Sequence, residues 1–139
     1  MFQGIATISF YADDVAAAAD WYAKLLGIRP YYAFPALPAP AAYVEFRVGD
    51  DQDELGLIDR KYAPPGAANA PGGAVTFWHV DDLTETVEKL TAMGATQYEA
   101  LTEREAGFTT ASFIDPFGNI LGVMHNPHYM DIAAGRNSS

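Results

Sequence analysis

Ala6-Thr7-Ile8-Ser9-Phe10-Tyr11-Ala12-Asp13-Asp14-Val15 and Ala74-Val75-Thr76-Phe77-Trp78-His79-Val80-Asp81-Asp82-Leu83 are two versions of one passage, lying over each other at a constant offset. Each reads as an apolar, β-prone run, then an Asp-Asp pair that caps a helix, then the first apolar residue of that helix. In the first copy Val15, Ala18, Ala19, Tyr22, Leu25 and Leu26 recur at helical spacing, and in the second Leu83, Val87 and Leu90 do. The helices close near a glycine, Gly27 and Gly94. A long repeat with this content is one supersecondary module used twice.

Working outward, Gly4 to Ala12 is the first strand and Ile28 to Phe34 the second, followed by a loop punctuated by Pro35, Pro38 and Pro40. Ala42 to Val48 alternates, with Val44, Phe46 and Val48 on one face and Tyr43, Glu45 and Arg47 on the other. After the turn-forming Gly49-Asp50-Asp51, Glu54 to Ile58 is a fourth strand. The second module repeats the order with strand Ala74 to Val80, helix Leu83 to Met93, and strands near Thr96 to Leu101, Phe108 to Ile114 and Asn119 to His125. Asp115-Pro116-Phe117-Gly118-Asn119 is a tight turn between the last two. Phe10, Trp78 and Phe113 fall on the helix-facing side and are assigned to the core. The domain organisation is then module 1 over 4–59, a connector over 60–73, module 2 over 74–125 and a polar tail over 126–139 docked by Tyr129 and Ile132. A chain of 139 residues, half of them apolar, has the length for one domain with the modules as its halves.

Composition narrows the function. With no cysteine, disulfides, thiolate metal sites and cysteine nucleophiles are excluded, which fits a reducing compartment, and a cytoplasmic location is expected. No basic segment with an apolar core opens the chain, and no apolar run approaches the roughly 20 residues that span a bilayer. The net charge of −10 disfavours nucleic acid as a partner and favours neutral or cationic ligands. Neither a glycine-rich phosphate loop nor a Ser-His-Asp order is present.

The order strand, helix, three strands, twice, resembles the vicinal oxygen chelate superfamily, which includes glyoxalase I, extradiol dioxygenases and bleomycin resistance proteins. The resemblance is carried by the Asp13-Asp14 helix start, by Trp21-Tyr22-Ala23-Lys24-Leu25-Leu26-Gly27, and most specifically by Asp115-Pro116-Phe117-Gly118-Asn119. It implies an α+β fold of two βαβββ modules in one domain, with two curved mixed sheets around a cleft and helices on the outer faces. It also implies a homodimer.

The resemblance places metal ligands, usually His or Glu, on the first and last strand of each module. Here those positions are Thr7 and Val75, and Gly56 and Gly122. A divalent cation needs converging nitrogen or oxygen donors, so no metal and no other cofactor is expected. If these positions face inward, period two adds Ser9 and Tyr11, Phe77 and His79, Glu54 and Ile58, and Ile120 and Met124 to the cleft. The alternating strands contribute Tyr43, Glu45, Arg47, Thr110 and Ser112. The result is an aromatic lining with a few polar groups, suited to a small molecule. Its floor is either widened by the two glycines or closed there by tight sheet contacts.

His79 has the titration range of a general base, with Glu45 or Glu54 to orient it, against a structural role at the strand's end. Arg47 either clamps an anion or pairs with Glu45. His125 and His128 form no metal spacing. Three functions remain open: a metal-free protein that sequesters a cationic or aromatic small molecule, a metal-independent isomerase or lyase acting on a small carbonyl compound, and an interaction module with a vestigial cleft.

Overall fold

The computed structural model describes residues 1–36, 38–67 and 70–137. Leu37 of the predicted proline loop, Ala68 and Asn69 of the connector, and Ser138 and Ser139 of the tail lie outside the described residues. The chain divides into two compact units, Met1–Asn69 and Ala70–Ser139, with the boundary inside the predicted connector.

The first unit contains β1 (Ile8–Ala12), α1 (Val15–Leu26), β2 (Tyr32–Phe34), β3 (Tyr43–Val48) and β4 (Asp53–Asp59), in a mixed sheet of order β1-β4-β3-β2. Asp14 caps α1 by accepting the Ala17 N–H at 3.0 Å, and Gly27 ends it in the left-handed region at φ 68°. The buried stripe Val15, Ala18 and Tyr22 belongs to the same core as Phe10, Ala12, Val44, Phe46, Leu55 and Leu57 on alternate positions of the sheet. The opposite face of that sheet carries Ser9, Tyr11, Tyr32, Phe34, Tyr43, Glu45, Arg47, Glu54, Gly56 and Ile58, as the ladder registers require.

The second unit repeats the plan with β5 (Thr76–His79), α2 (Leu83–Ala92), β6 (Thr96–Glu103), β7 (Thr109–Ile114) and β8 (Ile120–His125), in the sheet order β5-β8-β7-β6. Asp82 caps α2 by accepting the Glu85 N–H. The helix closes in a Schellman motif: Gly94 at φ 91° donates to Thr91, and Ala95 donates to Leu90. Leu90, Ala111, Phe113, Leu121 and Val123 form the core. Asp115 is buried in the turn between β7 and β8, where one carboxylate oxygen accepts the N–H groups of Phe117 and Asn119 at 2.9 Å each. Both sheets are mixed, and the α+β class with two βαβββ modules stands as expected from sequence.

Four readings need correction. The first strand begins at Ile8, opposite Leu55, and since β4 starts at Asp53 this register puts Gly4 and Ile5 beyond the end of the partner strand. The strand expected from Ile28 starts at Tyr32, since Pro30 has no N–H to give and the backbone bonds to β3 begin with Tyr31 donating to Glu45. Trp78 is only half-buried, whereas Phe10 and Phe113 are core. The supposed polar tail is largely a helix, α3 (Pro127–Asn137), started by Asn126 as cap and Pro127 in the first turn. Tyr129 docks this helix, but Ile132 remains 63% exposed.

Candidate functional site

On the sheet face of the first unit opposite α1, β3 presents Tyr43, Glu45 and Arg47 at alternate positions and β4 presents Glu54, Gly56 and Ile58 beside them. Tyr43 reaches across Gly56, and its hydroxyl lies 2.9 Å from a Glu54 oxygen and 3.2 Å from a Glu45 oxygen. A phenol has one proton, so it donates to one carboxylate at a time. Burial, followed by the bonds to Glu54 and Glu45, pushes the Tyr43 pKa far above its ordinary value and keeps the hydroxyl neutral. The second oxygen of Glu45 accepts from Arg47 Nε at 2.8 Å. Burial disfavours the Glu45 charge, but the hydrogen bonds outweigh it, that from Arg47 foremost, and hold the carboxyl below its usual range. The Arg47 guanidinium also lies over the Tyr31 ring, 4.3 Å from its centroid.

Aromatic surface surrounds these groups. Tyr32 meets Tyr43 edge-on at 6.2 Å, and Tyr31 and Phe34 are 65% and 61% exposed. Tyr31, Tyr32 and Phe34 were not among the residues expected from sequence. The alternation of Tyr32 and Phe34 after Pro30 was the available signal, since it puts Tyr32 opposite Glu45 and Phe34 opposite Tyr43. Of the other expected residues of this unit, Ser9 stands opposite Gly56 and is exposed, and Thr7 is exposed just ahead of β1. Tyr11 lines a separate hollow of about 320 Å³ with Arg60, Ala63, Pro64, Pro65, Gly66 and Ala67.

In the second unit, Phe77 stands opposite Gly122, with Ser112 next across the sheet. Ser112 is fully buried, with its hydroxyl 3.5 Å from Glu99. Thr110 accepts from Arg104 at 3.2 Å, and Thr110 and Met124 line an open groove with Glu103, Arg104, Glu105, Ala106 and Phe108. His79 ends β5 with its ring 5.5 Å from that of His125 and stacked on Tyr129 at 4.8 Å. Its Nδ1 accepts the Asn126 N–H at 3.0 Å, which engages the nitrogen that a base at that position would use. His79 and the pair Glu45 and Glu54 belong to different units.

The four positions where the fold family would place metal ligands do not fit a metal. Thr7 and Val75 each precede their strand by one residue, and the two glycines offer no donor. The space of a side chain at each glycine is also occupied. A Cβ on Gly56 would stand 2.8 Å from Tyr43 Cε2, and one on Gly122 would stand 2.6 Å from Phe77 Cδ1. The glycines therefore do not widen a floor; aromatic rings cover them. Among the described residues no group of three or more His, Asp and Glu side chains is placed to hold a metal ion.

Two mixed four-stranded sheets built from a repeated βαβββ module define the vicinal oxygen chelate type of fold. The profile of the Glyoxalase/Bleomycin resistance protein/Dioxygenase superfamily matches residues 4–123, and the chain belongs to that superfamily. No curated protein matches it. Among solved structures, a protein of Agrobacterium tumefaciens is 24% identical, with TM-score 0.71, 89% of this chain covered and 98% of that one. A superfamily member from Sphaerobacter thermophilus is 20% identical, with TM-score 0.70 and coverages of 90% and 98%. A bleomycin resistance determinant encoded on transposon Tn5 is 20% identical, with TM-score 0.62 and coverages of 90% and 99%. At these identities the likeness is one of fold. No helix among the described residues is long and apolar enough to cross a membrane.

Proposed function

We propose that this chain is a metal-free member of its superfamily that binds a small aromatic cation on the open sheet face of the first unit. The observation that carries the reading is the line Tyr32, Tyr43, Glu54: two aromatic rings in contact, running into a half-buried carboxylate. Arg47 displays the same chemistry within the protein, with a guanidinium held between the face of Tyr31 and the carboxylate of Glu45. Glu54, by contrast, forms no ion pair among those of the described residues, which leaves a ligand's cation a place to pair. The net charge of −10 draws cations to the surface.

A thermal-shift series tests this, using planar aromatic amines, their neutral isosteres, aromatic carboxylates and bleomycin as a cationic glycopeptide. A cation at 100 times its Kd adds about 2.7 kcal/mol to apparent stability. Glu54→Gln should abolish most of that gain. Stabilisation by carboxylates alone, or an effect unchanged in Glu54→Gln, overturns the reading. Stoichiometric zinc, nickel, manganese or iron in protein purified without chelators overturns its metal-free part.

A further inference from the structure

His79 belongs to the second unit, where it fastens the C-terminal helix to the sheet. Its Nδ1 accepts the backbone N–H of Asn126 at 3.0 Å. Asn126 in turn starts α3: its side-chain oxygen accepts the Tyr129 N–H at 3.0 Å and its carbonyl accepts the Met130 N–H at 3.2 Å. One turn along, Tyr129 folds back onto the same imidazole, with the rings 4.8 Å apart and 21° from parallel. The first turn of α3 is thus held twice by one side chain.

We infer that α3 is a pH-released strap, docked while His79 is neutral and let go when His79 takes a proton on Nδ1. An imidazolium carries N–H on both nitrogens, so protonation sets one donor against another at Asn126. It also puts a positive charge beside the N-terminus of α3, where the helix dipole is positive. The groups facing His79 are His125 from β8, Asp81 from the turn after β5 and the Tyr129 phenol from α3. Asp82, at the head of α2, has its carboxylate on the Glu85 N–H. Burial first, and then the charge of His125, lower the His79 pKa, while Asp81 acts in the opposite direction with less effect.

Docking therefore favours the deprotonated form. Its stability is full above the ordinary histidine pKa of about 6.5 and is lost as pH falls from there through the lower docked value. Release also reaches the open groove of this unit. His128 meets Phe108 of the groove wall edge-on at 4.9 Å, and the Pro127 ring packs over Gly107 beside it. When α3 leaves, the wall bearing Phe108 loses its support.

Hydrogen exchange on the full chain between pH 7.5 and 5.0, corrected for intrinsic rates, tests the strap. The amides of Asn126, Tyr129 and Met130 should lose protection in acid while the core amides of β7 and β8 keep theirs. The loss should be about tenfold for each unit by which docking depresses the His79 pKa. His79→Asn keeps an acceptor near the Nδ1 position but cannot titrate, so its α3 protection should not vary with pH. The same dependence in His79→Asn, or none in the natural chain, overturns the inference. If that variant does not fold, NMR titration of the natural chain decides: the Tyr129 ring must move with the His79 midpoint, and movement with His128 or no movement overturns it.

Discussion

The ring of Tyr43 lies where a side chain on Gly56 would be, with Cε2 of the tyrosine 2.8 Å and its hydroxyl oxygen 3.1 Å from the position of a Cβ. This contact sets the chemistry of the first unit. Because Gly56 has no side chain, the ring lies over β4 close to the backbone and its hydroxyl reaches Glu54, two residues along the same strand. A carboxylate at position 56 would displace the ring and scatter the polar cluster. Phe77 covers Gly122 in the same manner, so both modules hold an aromatic ring over the glycine of their last strand.

The two contacts predict unequal costs for adding a methyl group. At Gly56 the nearest atoms belong to the end of the Tyr43 side chain, which can tilt, and the backbone is not in the left-handed region. The smaller unfolded-state entropy of alanine, roughly 0.4–1 kcal/mol, then offsets part of the strain. At Gly122 the Cβ would also stand 2.7 Å from the Thr76 carbonyl, which is backbone and held in the sheet. Urea unfolding should place Gly56→Ala within about 1 kcal/mol of the natural chain and Gly122→Ala about 1–3 kcal/mol below it. The reverse order would mean that the rings do not occupy those positions.

The phenol of Tyr43 gives an alkaline signature. A pKa raised by folding contributes stability that is full below the unfolded value of about 10 and is lost as pH rises toward the folded one. The absorbance titrations of the natural chain and of Tyr43→Phe should therefore differ by one tyrosine that is still neutral after the exposed ones have ionised. Tyr43→Phe should remove that late step, flatten the fall in stability above pH 10, and cost about 0.5–1.5 kcal/mol at neutral pH for the lost hydrogen bond. A full complement of tyrosines titrating together in the folded protein contradicts the arrangement.

What was readable in advance follows from which interactions are local. The Asp14 and Asp82 caps, the Gly27 and Gly94 ends and the Asp115 turn are made by residues a few positions apart, and each appears where the sequence places it. Which residues of β3 and β4 share a face was legible because strand alternation is strict. The limits of β1 and β2 were not, since they depend on where a partner strand begins and where Pro30 stops donating. α3 has a weak apolar face, and its sign was Asn126-Pro127, a cap and first-turn pair hidden in a polar stretch. The filling of the glycines depends on how far Tyr43 and Phe77 reach across neighbouring strands, which register alone does not give. His79 had the residue type of a base, but its partner proved to be a backbone N–H 47 positions away.

The Glu45–Arg47 pair predicts which member is the more costly to lose. The Glu45 side chain is 11% exposed, whereas the Arg47 side chain is 34% exposed. Glu45→Gln leaves a guanidinium that water and the Tyr31 face can still satisfy. Arg47→Met strands a buried carboxylate beside a second one, Glu54, which already shares the Tyr43 hydroxyl. The arginine variant should therefore lose more at neutral pH. Folding lowers the Glu45 pKa, so the stability it contributes is present above the unfolded carboxylate value near 4.3 and is lost as pH falls through the folded one. Arg47→Met removes the leading stabiliser of the charge, which raises the Glu45 pKa and shrinks or reverses that acid-side loss. Chemical denaturation of both variants at pH 7 and pH 3.5 checks the order and the pH effect together, and a larger loss in Glu45→Gln at pH 7 would show that the pair is governed by the arginine's surroundings instead.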